Sequence, residues 1–117
     1  KLTRIEPFTF YGCTGFTGLI LGNSIETISK YAFQDCVNIR GDIFFPNSLN
    51  SIGQSSFWGC DKVVAFQFPH TTPLTYKYSL DFDNYMFPIS ATIKVPLSAV
   101  DSYKNTEKWR EHNIVGY

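Results

Sequence analysis

Three cysteines and two histidines are the side chains in this sequence best suited to nucleophilic or metal chemistry. Cys13, Cys36 and Cys60 are separated by 23 and then 24 residues, so there is no Cys-x-x-Cys pair to begin a metal site. A nucleophile formed by Cys60 with His70 as its base would require an exposed thiol, but the position of Cys60 in a repeated pattern predicts that it is buried. We therefore expect a structural role for the cysteines and neither a metal nor a cofactor.

The remaining candidates for chemistry are also weak. His112 is expected to end a helix, where a cation suits the helix dipole. Asp81 and Asp83 flank Phe82, an alternation that predicts an inward ring and two solvated acids, and two carboxylates are too few for a calcium loop. The sequence contains no Gly-x-Ser-x-Gly motif and no glycine-rich phosphate loop. These absences predict that the protein is not an enzyme.

The composition describes one small domain. The 117 residues are 44% hydrophobic, and ten Lys and Arg balance ten Asp and Glu. There is no basic block to bind a nucleic-acid backbone, so nucleic acid is not an expected partner. The apolar runs, such as 19–21, are far too short to span a membrane.

An internal repeat organises most of the chain. Five columns of apolar residues recur with the same spacing of 23 and then 24 residues. The columns are Leu2, Ile25, Leu49; Ile5, Ile28, Ile52; Phe10, Phe33, Phe57; Cys13, Cys36, Cys60; and Phe16, Ile39, Val63. This periodicity predicts stacked coils, in which the phenylalanine and cysteine columns form core ladders. Neighbouring coils lie about 4.8 Å apart, so one disulfide between two of the cysteines stays possible.

Each repeat also contains a short run with apolar outer residues, which predicts a strand with one buried face. The runs are 19–21, 43–45, 66–68 and 93–95. Pro46, Pro69 and Pro96 close three of them, and proline cannot donate a ladder hydrogen bond. We therefore expect one short parallel strand per coil, with turn-like return segments around 31–36 and 56–60. The extra residue of the second repeat is placed between Ile39 and Ile43.

The end of the chain departs from the regular pattern. Residues 70–96 are interpreted as a degenerate fourth repeat, with Phe82 as the counterpart of Phe57 and Tyr85 at the cysteine position. We divide the chain into coils at 1–96 and a cap at 97–117. The fold class expected is an α/β repeat solenoid of about three and a half right-handed coils.

The cap is expected to contain a helix that begins with Ser98 as N-cap and runs to about His112. Val100, Tyr103 and Trp109 are the candidate inward residues, and the run 114–115 would fix the tail. Such an element would cover the last exposed coil, which a solenoid requires.

The repeat resembles a known family. The pattern Ile-x-x-x-x-Phe-x-x-Cys, at Ile28 to Cys36 and Ile52 to Cys60, is similar to the BspA-type leucine-rich repeat. The ending from Ile93 to Tyr103, with Trp109, resembles the C-terminal closure of that family. The resemblance implies an exported, cell-surface or secreted protein of bacteria or parasitic protists, associated with adhesion and protein interactions.

Two surfaces are candidate binding sites. The middle residues of the four runs should form a row on the open sheet face, namely Ile20, Phe44, Gln67 and Lys94. Apolar residues in such a row often mark a partner site, here a protein or an extracellular-matrix component. A chain without a partner would instead be a structural spacer or the terminal cap of a larger surface protein.

The second surface is the aromatic segment, which comprises Tyr76, Tyr78, Phe82, Tyr85 and Phe87. Aromatic side chains stack on sugars, so Tyr76, Tyr78 and Tyr85 are candidates for carbohydrate binding. The alternative is that these rings fill the space between the third repeat and the cap.

The first repeat carries no cap of its own. Leu2 and Ile5 begin midway through a repeat, which would leave an apolar coil end uncovered. We expect further repeats or another domain before Lys1, or contact between two chains at this end.

Overall fold

The computed structural model describes residues 1–78, 80 and 84–117. The described strands are β1 Arg4–Ile5, β2 Thr27–Ile28, β3 Gly41–Phe44, β4 Ser51–Ile52, β5 Val63–Gln67, β6 Thr92–Val95 and β7 Asn113–Gly116. One α-helix, α1, covers Val100–Lys104, and short 3-10 segments cover Leu97–Ala99 and Trp109–Glu111.

All strand pairs are parallel and form two sheets. The small sheet has the order β1-β2-β4, and the large sheet has the order β3-β5-β6-β7. The chain is thus a parallel β-solenoid of about five turns with a short C-terminal helix, and the predicted fold class is confirmed. The number of turns exceeds the expected three and a half because the irregular repeat and the cap each complete a turn.

The strands of the small sheet were not predicted from the sequence. They pair through the isoleucine column, with Ile5 opposite Ile28 and Ile28 opposite Ile52. Each of these strands has only two residues. A period-2 pattern needs at least four residues to be visible, so the sequence could not reveal them.

The predicted strand at 19–21 was wrong. Leu19 and Leu21 are half-buried and Ile20 is 97% exposed, yet these three described residues form no strand. Gly18 and Gly22 flank the run. Glycine raises the conformational entropy that an extended segment must lose, so the alternation persists without ladder pairing.

The return segments are turns whose backbone conformation recurs from coil to coil. Phe8, Tyr31 and Ser55 all have left-handed φ values, of 62°, 59° and 54°. They stand in one column, each three residues after its isoleucine. A second left-handed column contains Gly12, Asp35 and Gly59, with φ values of 67°, 60° and 86°. Two left-handed positions per turn reverse the chain at the same place in each of the first three coils.

An aromatic ladder forms the centre of the core. The rings of Phe10, Phe33, Phe57 and Phe87 stack in sequence, with centroids 5.2, 5.1 and 5.9 Å apart. Backbone bonds follow the same register, since the Phe33 amide donates to Ser56 and the Phe57 amide donates to Met86, both at 2.8 Å. Stacked rings of this kind add to the free energy that their burial supplies.

The ladder corrects the alignment of the fourth repeat. Phe87 occupies the phenylalanine position, so Tyr85 does not occupy the cysteine position. Phe82, the expected counterpart of Phe57, lies outside the described residues. The additional residues of the fourth repeat lie in the irregular loop before the turn. Counting residues from the third repeat could not show where these additional residues lie.

The cap also differs from the prediction. Helix α1 has only five residues, and Ser98 lies in the 3-10 segment before it rather than at an N-cap. Beyond the helix, Lys108 has a left-handed φ of 68° and a second 3-10 segment follows. The chain then enters β7, where Ile114 pairs with Ile93. Tyr103 and Trp109 are fully buried, whereas Val100 is half-buried.

Candidate functional site

The thiols form an internal ladder. The Cys36 Sγ donates to the carbonyl of Phe10 at 3.0 Å, and the Cys60 Sγ donates to the carbonyl of Phe33 at 3.1 Å. Burial raises the pKa of the Cys36 thiol, and it raises the pKa of Cys60 to about 12. All three cysteines are free, and Cys13, like Phe10 in the same coil, is only half-buried. Buried thiols in this state are protonated at neutral pH and are poor nucleophiles.

The large sheet aligns three of the four residues predicted for its open face. Phe44 pairs with Gln67, and Gln67 pairs with Lys94. Val115 of β7 extends this row beyond Lys94. The Phe44 side chain is 58% exposed, while the neighbouring Phe45 is buried, so the alternation expected of a half-buried strand is present. Ile20 is exposed but lies outside the sheet.

An ion pair crosses the open face. The Lys94 Nζ lies 3.4 Å from the Asp42 Oδ2. Asp42 is on β3 and Lys94 is on β6, so the pair spans the intervening strand β5. Ala65 is paired with Asp42 and has a small side chain, which leaves room for this crossing. The ion pair orients both side chains at the surface.

A β-bulge exposes a further apolar residue. The register shifts between Gly41 and Asp42, which pair with Val63 and Ala65 and leave Val64 without a partner. Val64 is 65% exposed. We define the sheet face as Asp42, Phe44, Val64, Gln67 and Lys94. Sequence reasoning missed Asp42 and Val64 because a bulge interrupts the period-2 alternation that it relies on.

The aromatic segment mainly attaches the cap to the fourth coil. The Tyr76 hydroxyl lies 2.6 Å from the His112 Nε2, and the Tyr76 ring packs edge-on against Trp109 at 5.2 Å. The His112 Nδ1 lies 3.2 Å from the carbonyl of Ile89. A carbonyl can only accept, so the Nδ1 carries the proton and the Nε2 accepts from Tyr76. Trp109 donates from Nε1 to the carbonyl of Leu74 at 2.8 Å.

His112 is therefore not the cation that we expected at a helix end. The side chain is buried, and burial lowers the pKa of the imidazole below its usual value. The hydrogen bond to the carbonyl of Ile89 and, to a smaller degree, the proximity of Glu111 oppose this shift in the pKa. His112 is a neutral ring in the interior at neutral pH. His70 is also bonded internally, because its Nε2 lies 2.9 Å from the carbonyl of Leu49.

Tyr85 belongs to the same attachment. Its ring is buried, and its hydroxyl donates to the Glu111 Oε1 at 2.8 Å. This hydrogen bond is the main cause of a raised pKa at Tyr85, with burial second. The Lys108 Nζ lies 4.4 Å from the ring centre of Tyr78 and 4.6 Å from that of Tyr85. Tyr76 and Tyr85 are thus committed to internal contacts, while Tyr78 keeps a face at the surface.

A surface pocket of about 580 Å³ opens beside Tyr78. We call it the Tyr78 pocket. It is lined by Lys30, Gly53, Gln54, Tyr76, Lys77, Tyr78 and Leu80. Three of these residues come from the return turns of the second and third coils, and the others come from the irregular loop.

Among residues 1–78, 80 and 84–117, no three His, Cys, Asp or Glu side chains gather in a way that could hold a metal ion. Asp81 and Asp83 lie outside this range. None of the helices in the described part of the chain has the length and apolar character needed to cross a membrane.

A family model for the BspA-type leucine-rich repeat region matches residues 1–105, with six copies. The chain belongs to the BspA-type leucine-rich repeat family. Members of this family generally consist of surface-associated protein-interaction repeats and are typically non-catalytic. Searches among curated proteins and among solved structures gave no match.

In this BspA-type chain, the repeat motif and the surface carry different information. Ile28, Phe33 and Cys36 of the second repeat are all fully buried. The residues that define the motif therefore specify how the coils stack. The residues available to a partner, such as Phe44 and Val64, lie at positions that the motif does not constrain.

Proposed function

We propose that this chain is a non-catalytic protein-interaction module that binds an extracellular protein partner through the sheet face. The observation that carries the proposal is the exposure of Phe44, which is 58% accessible on a strand whose other face is core. An aromatic side chain of this kind is a common anchor in protein interfaces.

The surroundings of Phe44 support an interface rather than a chance exposed residue. Val64 on the adjacent strand adds a second exposed apolar side chain, while Gln67 and the Asp42–Lys94 pair supply polar groups around them. Apolar anchors bordered by polar residues are typical of the centre and rim of an interface. Because these side chains stand on a hydrogen-bonded sheet, little ordering is needed when a partner binds.

The membership of a surface-associated family supports an extracellular partner and a role in adhesion. The class of partner is inferred from the form of the site, which is the exposed face of a sheet. Such a face fits a protein surface better than it fits a small molecule, which needs a concave site. A spacer role would instead leave the sheet face without a ligand.

The test is a binding screen of the purified chain against extracellular-matrix proteins, followed by variants. We expect saturable binding to at least one protein, and at least tenfold weaker binding for Phe44→Ser, equivalent to about 1.4 kcal/mol. Ile89→Ser is the matched control, since Ile89 is also an exposed apolar residue but lies outside the sheet. Both variants should keep the circular dichroism spectrum of the parent chain.

Two outcomes would contradict the proposal. The first is the absence of saturable binding across the panel, which favours the spacer role. The second is a loss of binding that is equal for Phe44→Ser and Ile89→Ser, which would show that the sheet face is not the site.

A further inference from the structure

A second exposed surface runs along the return turns, and it consists of aromatic and basic residues. In the first coil, Phe8 is 52% exposed and Tyr11 is 49% exposed. The Phe8 ring stacks on the ring of Tyr31 in the second coil, with centroids 4.8 Å apart, and lies 5.8 Å from the ring of Tyr11. The left-handed backbone column places Phe8 and Tyr31 at the same point of successive turns.

This surface continues without interruption into the Tyr78 pocket. The Gln54 Nε2 donates to the Tyr31 hydroxyl at 2.7 Å, and Gln54 is also part of the pocket wall. Lys30, the residue before Tyr31, lines the pocket as well. We define the aromatic strip as Phe8, Tyr11, Tyr31, Gln54 and Tyr78, together with Lys30 and Lys77. It crosses four successive coils and is therefore elongated.

The charge of the strip is positive at the Tyr78 pocket. Lys30 and Lys77 both line the Tyr78 pocket, and its described lining contains no Asp or Glu. Lys77 donates to the Ser51 Oγ at 3.1 Å, a neutral acceptor. The ion pairs among the described residues involve neither Lys30 nor Lys77. Two cations that form no ion pair with the described carboxylates would attract an anionic ligand.

The backbone of the strip is already paired. The amide of Phe8 donates to Lys30 and the amide of Tyr31 donates to Gln54, at 3.3 and 3.0 Å. A peptide that added a strand here would find these groups occupied, so strand addition is disfavoured. Recognition must instead use ring faces, side-chain polar groups and charge. With zero net charge on the chain and two lysines at the pocket, a nucleic-acid backbone is also a poor fit.

We propose that the aromatic strip binds a linear acidic polysaccharide, whose sugar rings stack on the exposed aromatic faces and whose carboxylates pair with Lys30 and Lys77. Aromatic side chains with polar tips suit sugars, which present an apolar C–H face and hydroxyl groups. The pocket volume of about 580 Å³ lies within the range of small-ligand sites, about 300–1,000 Å³. An extended chain of sugars matches a surface that crosses the coils, whereas a single sugar would use only the pocket.

This inference is independent of the sheet face, because the two surfaces share no residue. The probe is a hexamer of galacturonic acid, and the comparison is a neutral hexamer of glucose of the same length. Calorimetric titration of the 117-residue chain should show binding of the acidic hexamer at least tenfold tighter than that of the neutral one. The affinity should fall as salt is added, since added ions screen the exposed lysines.

Variants locate the site. Phe8→Ser should weaken binding of the acidic hexamer at least tenfold, and it is compatible with the fold because Ser55 occupies the same left-handed column. Lys30→Gln combined with Lys77→Gln should reduce the affinity by at least tenfold and remove the preference for the acidic hexamer. Ile89→Ser and Lys104→Gln are controls, as both residues are exposed and lie outside the strip.

The proposal is overturned if the acidic hexamer does not bind, if both hexamers bind equally, or if the variants bind as the parent chain does. It is also overturned if a protein from the matrix screen loses binding with Phe8→Ser while no sugar binds, because the strip would then be a protein site. The lysine variants keep the test valid if Phe8→Ser fails to fold.

Discussion

At the scale of single residues, close contacts between coils decide which substitutions this chain tolerates. Gly53 donates its backbone amide to Ile28 at 2.7 Å. A Cβ placed on Gly53 would overlap the backbone of Ser29 and Lys30 in the preceding coil. The equivalent positions in the earlier repeats hold Glu6 and Ser29, so a glycine is needed at this point only in the third coil.

We expect Gly53→Ala to lower the free energy of unfolding by about 1–3 kcal/mol, because the coils would have to separate to accept the methyl group. Urea unfolding followed by circular dichroism measures the change. Gly15→Ala is the control, since a Cβ there meets nothing within 4 Å. The control should be neutral or raise the stability by about 0.4–1 kcal/mol. Equal effects of the two substitutions would show that the contact at Gly53 is not tight.

At the residue scale, the sequence predicted the buried columns well but did not predict residues whose roles depend on a neighbouring coil. The phenylalanine and cysteine columns were visible because a solenoid repeats the same buried environment at a fixed interval. The exposure of Val64 was not visible, because it depends on a bulge in which strand β5 is one residue longer than β3. Gly53 was also missed, because its requirement arises from the backbone of another coil.

At the scale of elements, one of the contacts that attach the cap to the fourth coil is made by a buried imidazole. His112 bridges Tyr76 and the carbonyl of Ile89. Its ring must be neutral for the Nε2 to accept a hydrogen bond from the Tyr76 hydroxyl. The titratable groups around it are Tyr76, Tyr85 and Glu111, and only Glu111 favours the charged form of His112.

The pH dependence of stability follows from this site. Burial lowers the pKa of His112 in the folded chain below the value near 6.5 expected when the chain is unfolded. Between the pKa near 6.5 of the unfolded chain and the lower pKa of the folded chain, the unfolded chain binds more protons than the folded chain does. The free energy of unfolding therefore falls as the pH falls through this range. We expect urea midpoints to decrease between pH 7.5 and pH 5.

His112→Gln isolates the contribution of this residue. The variant should be less stable at pH 7.5 but should lose less stability than the parent chain on going to pH 5. An identical decrease in both proteins would show that other groups control the pH dependence and that His112 is not the sensitive contact.

Several elements could be predicted from the sequence, and the exceptions have physical causes. The strands at Ile43, Phe66 and Ile93 were found because alternation and a closing proline coincide there. The run at 19–21 has the same alternation, but its flanking glycines disfavour the extended pairing. The helix was predicted too long because composition alone did not show that α1 ends at Lys104, that Lys108 takes a left-handed φ of 68°, and that Trp109–Glu111 form a separate 3-10 segment.

At the scale of the whole molecule, the coils differ in how well they are covered. The second and third coils lie between neighbours on both sides, and their cysteines are fully buried. The first coil contacts a neighbour on one side only within this chain, and its Phe10 and Cys13 are half-buried. In a solenoid, stability is approximately a sum of coil and interface contributions, so opening should begin at the less covered coil.

We expect thiol alkylation to follow this order. With iodoacetamide at pH 8, Cys13 should react first, while Cys36 and Cys60 should react at least tenfold more slowly because each is buried and bonded to the preceding coil. Mass spectrometry of peptides gives the three rates. In urea the three rates should become similar, which serves as the control. Equal rates in the native chain would show that the coils open together.

Because the coils stack on one another, the number of coils sets the length of the molecule. Each added coil would lengthen it by about 4.8 Å. The sheet face and the aromatic strip are borne by different edges of the same coils, so both would grow by one step together. The number of coils that fixes the length of one binding surface would therefore also fix the number of binding positions on the other.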